Sequence, residues 1–204
     1  VISDMNEPLG YAVGNALEVK EAVDTLKGRG PEDVVELCLE LGAQMLIASE
    51  ITDDRQAAVD MLKKSIENGS AYAKFAEFVK RQGGDVSVLD DCDSIINARY
   101  IVDIVSENSG YVSSIQSELI GETAMILGGG RQNKGDDIDH SVGVVLSKKV
   151  GDKVDKGDVI ATIYANDKDR IEAANELIVK AFAIQKEIVD TYPLIKRIIS
   201  CKNM

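Results

Sequence analysis

Aromatic residues make up only 4% of this 204-residue chain; tryptophan is absent and His140 is the single histidine. So few rings leave no surface on which nucleic-acid bases would stack between basic side chains. Basic residues are themselves the minority, 23 Lys and Arg against 35 Asp and Glu, for a formal charge of −12. That balance excludes long-range attraction of the whole molecule to nucleic-acid phosphates or anionic lipid, and leaves room only for a local basic pocket around one small anion. The three cysteines, Cys38, Cys92 and Cys201, are odd in number, far apart and without a Cys-x-x-Cys pair. This excludes a disulfide framework and a zinc site of ordinary spacing, and points to reduced cytoplasm. Val1-Ile2-Ser3-Asp4-Met5 carries no initiator Met, basic stretch or long apolar core, so it reads as neither a natural start nor a signal peptide. What remains, 45% apolar and 28% charged, is the balance of an ordinary folded protein. A chain of this length buries about 70% of its unfolded surface without cross-links, as one large domain or two small ones.

The opening residues read as the end of a β-strand. A strand at that place implies upstream partners, so the expectation is the C-terminal part of something longer. Four helices follow. The first starts at Asn15, read as N-cap with Glu18 three residues on, and stops at Gly28. The second starts at Gly30-Pro31-Glu32-Asp33, with proline at the first helical position, and runs apolar from Val34 to Ala48, which predicts a fully buried helix. Within it Cys38 reads as a small hydrophobe. The third and fourth cover about 53 to 68, closed by Asn68-Gly69, and about 70 to 82, closed by Gly83-Gly84.

Residues 85 to 97, with Asp90, Asp91 and Asp93 and no sustained period, read as a linker. Beyond it Arg99 to Val105 and Tyr111 to Ile115 are rich in β-formers and are separated by Glu107-Asn108-Ser109-Gly110, which predicts an antiparallel pair. A short helix over Ile120 to Leu127 is interrupted by Gly128-Gly129-Gly130-Arg131. Strands follow over Val142 to Leu146, Val150 to Val154 and Lys156 to Ile163, then a last helix from Lys168 to about Val189, and a tail from Tyr192.

Few of these residues carry chemistry by themselves. The triple glycine with Arg131 and Lys134 would suit a phosphate nest, against the plainer reading of a tight loop, which is favoured because no Walker or dinucleotide pattern surrounds it. Gly10-Tyr11-Ala12-Val13-Gly14 fits neither fingerprint. His140 beside Asp139 reads as a surface residue, with general-base catalysis the alternative. Asp136, Asp137 and Asp139 read as a solvated acidic turn and not a hard-cation loop. The Val150–Ile163 pattern V-G-D-x-V-x-x-G-D-x-I-A looks like that of biotinyl and lipoyl carrier domains. It suggests a barrel-sandwich element, but neither Met-Lys-Met nor Asp-Lys-Ala is present to take the cofactor.

Three ordered motifs go further: the opening from Ile2 to Ala22, the G-x-G-P-E-D from Gly28 to Asp33, and L-G-G-G-R-x-x-x-x-D-x-I-D-x-x-V-G-V from Leu127 to Val144. Together they closely resemble the bacterial pyrimidine-nucleoside phosphorylase (thymidine phosphorylase) family over residues 1 to about 166. The resemblance implies an α/β with α+β fold, in which residues 1–92 end a large α/β domain and residues 98–204 form a C-terminal α+β domain with antiparallel, barrel-sandwich-like strands. It implies phosphorolysis of thymidine, uridine or deoxyuridine to free base and pentose 1-phosphate by the complete, cytoplasmic, homodimeric enzyme.

The family's Lys-His-Ser-Thr-Gly-Gly phosphate segment and its Arg and Ser-x-x-x-Lys base site lie upstream of the present residues. No catalytic or substrate-binding residue therefore carries over, and the chain alone is expected to be inactive without the missing N-terminal half. What carries over is part of a potassium site: the carbonyls of Leu9 and Ala12 and the carboxylate of Glu21, completed by a Gly and a Thr of the missing half. On its residues alone Glu21 is an ordinary solvated acid. The resemblance also implies domain closure, on which the glycine loop at 128 to 131 is expected to order. A carrier or structural module, and a related phosphoribosyltransferase, are the alternatives; such transferases generally lack a portion like residues 98 to 204.

Overall fold

A computed structural model describes residues 1–131 and 133–200; Cys201 lies outside them. Backbone contacts divide the chain into two compact units. The first comprises Val1–Asp4, Lys20–Cys92 and the C-terminal segment from Pro193; the second comprises Met5–Val19 and Asp93–Tyr192. Every strand pairing described is antiparallel, so the architecture is α+β.

The first unit is helical. Helix α1 (Asn15–Leu26) enters it from Lys20 on, followed by α2 (Glu32–Ala48), α3 (Arg55–Glu67) and α4 (Ser70–Arg81). Their ends are written in local chemistry. Asp54 accepts the Ala57 N–H at 2.9 Å to cap α3, and Gly69, at φ 76°, turns the chain between α3 and α4. Pro31 stands one place earlier than expected, as the N-cap of α2.

Helix α2 corrects the expectation of full burial. Leu39, Ala43 and Leu46 pack on Ala58, Val59 and Leu62 of α3, where Gly42 admits the Leu62 side chain. Cys38, Leu41 and Met45, spaced three and four residues apart, are exposed, Met45 to 69%. The apolar run covers the whole circumference of the helix, whereas the described residues cover only one side. Cys38 is thus a surface residue.

Residues 85 to 97 are not a loose linker either. They form short turns at Val86–Leu89 and Cys92–Ile95, and Leu89 and Cys92 are buried with Val23 against Tyr72, Phe75 and Val79. The opening strand β1 (Ile2–Ser3) finds its partner within the chain, pairing with the tail strand β9 (Ile195–Arg197) and tied further by Asp4 to Lys196 at 2.7 Å.

The second unit is a sandwich. Strands β2 (Ala12–Val13), β5 (Gly143–Leu146), β7 (Val159–Ala165) and β3 (Tyr100–Val105) form one sheet in that order; β6 (Lys153–Val154), β4 (Gly110–Ile115) and β8 (Phe182–Gln185) form the other. Ile104, Val144 and Ile163 from the first sheet and Val112, Val154 and Phe182 from the second share one core. It is closed by Ile120 of α5 (Ser117–Ala124) and Ile178 of α6 (Ile171–Ala181).

Two expectations give way here. β3 and β4 are not a hairpin pair: β3 pairs with β7, β4 with β6 and β8, and the turn at 107–110 crosses from one sheet to the other. Both faces of the core need covering, and a crossing turn achieves this where a hairpin would leave both strands in one layer. The last helix stops at Ala181, and Phe182–Gln185 becomes a strand because its backbone finds partners along β4.

Candidate functional site

The opening motif and the Leu127–Val144 motif, more than a hundred residues apart, meet in the second unit. Ala12 and Val13 pair with Val145 and Val144, and the Leu146 N–H donates to the Tyr11 carbonyl at 2.8 Å. Glycine makes this approach possible. A Cβ on Gly14 would lie 2.5 Å from the Val142 carbonyl oxygen, and one on Gly143 would lie 2.3 Å from that of Val13. Helix α1 starts immediately after, and its capping differs from the sequence reading. Gly14 occupies the cap, with its N–H donating to Glu18 Oε1 at 3.1 Å, and the Ala16 N–H donates to the His140 carbonyl at 2.9 Å. Asn15 is the first helical residue, and its Nδ2 donates to the Gly129 carbonyl at 3.2 Å.

The glycine loop is held by its carbonyls. Besides Gly129, the Gly128 carbonyl accepts from the Asp139 N–H at 2.9 Å and that of Ile126 from Arg170 Nη1 at 3.1 Å; Arg131 Nε donates to the Asp136 carbonyl at 3.2 Å. Gly128, at φ 105°, adopts a backbone open to glycine. These bonds suit the tight-loop reading of the triple glycine.

Asp139 is the hub beneath it. Its carboxylate accepts from the Ser141 N–H and Oγ at 3.0 and 2.7 Å and from Asn166 Nδ2 at 2.6 Å, while Asn166 Oδ1 accepts the Arg99 N–H at 2.8 Å. Burial alone would raise this carboxyl's pKa, but the donors from Asn166 and Ser141 outweigh it and hold it below the ordinary range. Among the described residues no group of three or more His, Cys, Asp or Glu side chains could hold a metal ion. His140 is exposed and contributes its backbone carbonyl.

The three residues expected around a monovalent cation are placed as follows. Leu9 is exposed on the loop before β2, Ala12 is buried in β2, and Glu21 is half-buried on α1 in the first unit, its backbone carbonyl accepting from Thr25 Oγ1 at 2.8 Å. Leu9 and Ala12 thus belong to the second unit and Glu21 to the first. The loop itself is anchored to the second unit by Glu7, whose Oε2 accepts the Val150 N–H at 2.9 Å, and by Lys149, whose Nζ donates to the carbonyls of Pro8 and Gly10.

Lys149, Glu7 and Asn166 are absent from the residues that sequence reading weighed for a site, and Asp139 is weighed there only as part of an acidic turn and as the neighbour of His140. Lys149 and Asn166 lie in or beside the carrier-like strand pattern, which marked the fold but gave no hint that their partners are residues 8–10 and 139.

Residues 111–185 match the sequence profile of the pyrimidine nucleoside phosphorylase C-terminal domain. The chain is 50% identical over 182 residues to the pyrimidine-nucleoside phosphorylase of Bacillus subtilis (strain 168), covering 89% of this chain and 41% of that protein. Against the enzyme of the same name from Geobacillus stearothermophilus it is 52% identical over 166 residues, 81% of this chain and 38% of the relative. Against that from Staphylococcus haemolyticus (strain JCSC1435) it is 45% identical over 200 residues, 98% and 46%. The chain thus spans less than half the length of each of these relatives. Among the described residues no helix is long and apolar enough to cross a membrane.

Proposed function

We propose that the chain, given its similarity to pyrimidine-nucleoside phosphorylases, belongs to that family and supplies the C-terminal part of an enzyme that cleaves thymidine, uridine or deoxyuridine with phosphate, giving free base and pentose 1-phosphate. In this reading residues 1–92 end a large α/β domain, residues 98–204 form the C-terminal domain, and the complete enzyme is a cytoplasmic homodimer. The observation that carries it is the meeting of the two motifs. The β2–β5 pairing and the bonds from Asn15 and Ala16 to residues 129 and 140 make them one structural feature, as expected if both are retained for one purpose.

The exposed stripe of Cys38, Leu41 and Met45 supports a missing partner segment. Apolar side chains left to water on a helix whose other face is packed are the surface an N-terminal half would cover.

The chemistry asks little covalent help of the protein. Departure of the base leaves an oxocarbenium-like sugar beside the phosphate, so the task is to align the two and stabilise developing charge. The reactive groups belong to the upstream half. The contribution of these residues is positional: they fix the 5–14 loop and the start of α1. Leu9, Ala12 and Glu21 would hold potassium, which when bound supplies fixed positive charge beside the loop.

The test is complementation. The 204-residue chain, the upstream half, and the two combined are assayed for phosphate-dependent release of uracil and thymine. Turnover is expected only from the combination. Release by the chain alone at an ordinary enzymatic rate, or silence from a combination shown to assemble, refutes the reading. Met45→Asp, exposed in the chain, is expected to leave its folding unchanged while impairing assembly.

A further inference from the structure

Among the described residues no strand pairs with the far side of β3. It ends its sheet with six residues, against two for β2 at the other end, and two and four for β6 and β8 at the edges of the second sheet. Natural edges are blunted by brevity, proline, lysine or a bulge. Residues 100–104 hold neither proline nor lysine, and the irregularity in their pairing with β7 falls after Ile104. Which groups line the open side follows from alternation. The Leu146 N–H donates to Tyr11 and so turns toward β2; Val145 then turns toward β7, its partner Thr162 toward β5, and Ala161 and Ile163 toward β3, where they meet Ile104 and Val102. The backbone groups of Ile101 and Asp103 are left on the open side. Val102 and Ile104 point into the core, so the side chains of Ile101 and Asp103, and of Arg99 one place before the strand, share the outer face. Ile101 is 61% exposed, with exposed Arg99 and Asp103 two places to either side. Thr162 Oγ1 donates to Asp103 Oδ1 at 2.7 Å and holds that carboxylate in place.

We propose that this edge joins two copies of the chain, β3 against β3, antiparallel about a two-fold axis through Ile101. Such an axis, perpendicular to the sheet, keeps outer face beside outer face, so that opposed residues stand an even number of places apart in the sequence. Centring the pair on Asp103 sets two carboxylates against each other. Centring it on Val102 sets Ile101 against Asp103 and leaves the charges unanswered. Centring it on Ile101 brings the two isoleucines together and puts Arg99 opposite Asp103 on both sides, one guanidinium to one carboxylate. Ile101 exchanges both backbone bonds with its counterpart, and the Asp103 N–H meets the Arg99 carbonyl of the second copy. The two four-stranded sheets then run on as one. Charge complementarity selects a second copy as the occupant: positive, apolar, negative along one strand is answered by the same order read backwards along the other. The pairing stands on the second unit alone and is independent of the enzymatic reading. One strand from each copy is a small contact, so a dissociation constant of roughly 10–100 µM is expected.

Sedimentation velocity of the 204-residue chain is followed over about a hundredfold range of concentration, up to roughly 1 mM, in about 0.15 M salt to screen the net charge of −12. The parent is expected to pass from monomer to dimer, with hydrogen exchange at the Ile101 and Asp103 amides slowing as the dimer fills. Arg99→Asp and Asp103→Arg each turn two attractive pairs into two repulsive ones, and each is expected to weaken dimerisation about thirtyfold. Arg99→Asp combined with Asp103→Arg restores the attraction and is expected to return to within about threefold of the parent. Asp103→Arg loses the bond from Thr162 in the single and the combined variant alike, so recovery cannot come from that bond. Should a single reversal not fold, as judged by circular dichroism, Ile101→Lys on the exposed face is expected to abolish the dimer. A parent that stays monomeric, a dimer indifferent to these changes, or a combined reversal no tighter than the single ones overturns the proposal. So does protection of the Ile101 and Asp103 amides that appears in a monomer only when the upstream segment is added, which would give the edge to that segment instead.

Discussion

Glu40 offers the sharpest test of how the helical unit is held together. It lies on α2 with only 2% of its surface exposed, yet it carries a charge. Its Oε2 accepts from Arg55 Nε at 2.8 Å and from Arg55 Nη2, and its Oε1 accepts from Gln44 Nε2 at 2.7 Å. Burial by itself would raise the carboxyl's pKa from its ordinary 4.5, but the Arg55 and Gln44 donors outweigh burial and the value is lowered. Arg55→Met keeps bulk on α3 and strands a buried carboxylate on one amide. Breaking a fully buried pair costs about 3–5 kcal/mol; with the Arg55 side chain 55% exposed, water replaces part of what is lost, and about 2 kcal/mol is expected.

The sign with pH follows from the lowered folded-state value. The pair's contribution is complete above the ordinary carboxylate range and disappears as pH falls through the folded-state pKa, because protonated Glu40 no longer needs the guanidinium. Urea unfolding followed by far-UV circular dichroism should therefore show parent and Arg55→Met well separated at pH 7 and converging as pH falls below 4.5. A variant within about 0.5 kcal/mol of the parent at pH 7, or a gap that survives undiminished in acid, refutes the account.

Gly14→Ala is expected to cost about 2–3 kcal/mol in the same assay, because its Cβ would lie 2.5 Å from the Val142 backbone oxygen; a change under about 0.5 kcal/mol would show that the β2–β5 approach yields freely. Asn166→Ala removes one of the donors that depress Asp139, leaving those of Ser141, so the Asp139 carboxyl, followed by NMR, is expected to titrate at higher pH than in the parent, with stability lost from a correspondingly higher pH as the solution is acidified. A titration that does not move would place the depression elsewhere.

Local chemistry wrote the helices. Asp54, Gly69 and the Pro31-Glu32-Asp33 start act on backbone groups a few residues away, and the ends of α3 and α4 stand within a few residues of where those signals put them. The strands of the sandwich were also visible as β-rich runs bounded by glycine turns. Their partners were not. The turn at 107–110 looks the same whether it closes a hairpin or crosses between sheets, and Phe182–Gln185 follows a helix without a stop signal. For the candidate site, the resemblance supplied Leu9, Ala12 and Glu21, while Lys149 and Asn166, and the bonding of Asp139 to Asn166, came into view only when distant segments met.

The sequence by itself determined where the backbone could bond to its own neighbours, and through its motifs which family the chain resembles. Only the tertiary structure decided which strand lies beside which, which side of α2 stays bare, and which lysine holds the loop. Those choices turn on contacts between residues far apart along the chain, whose loop-closure entropy and burial no short stretch of residues records.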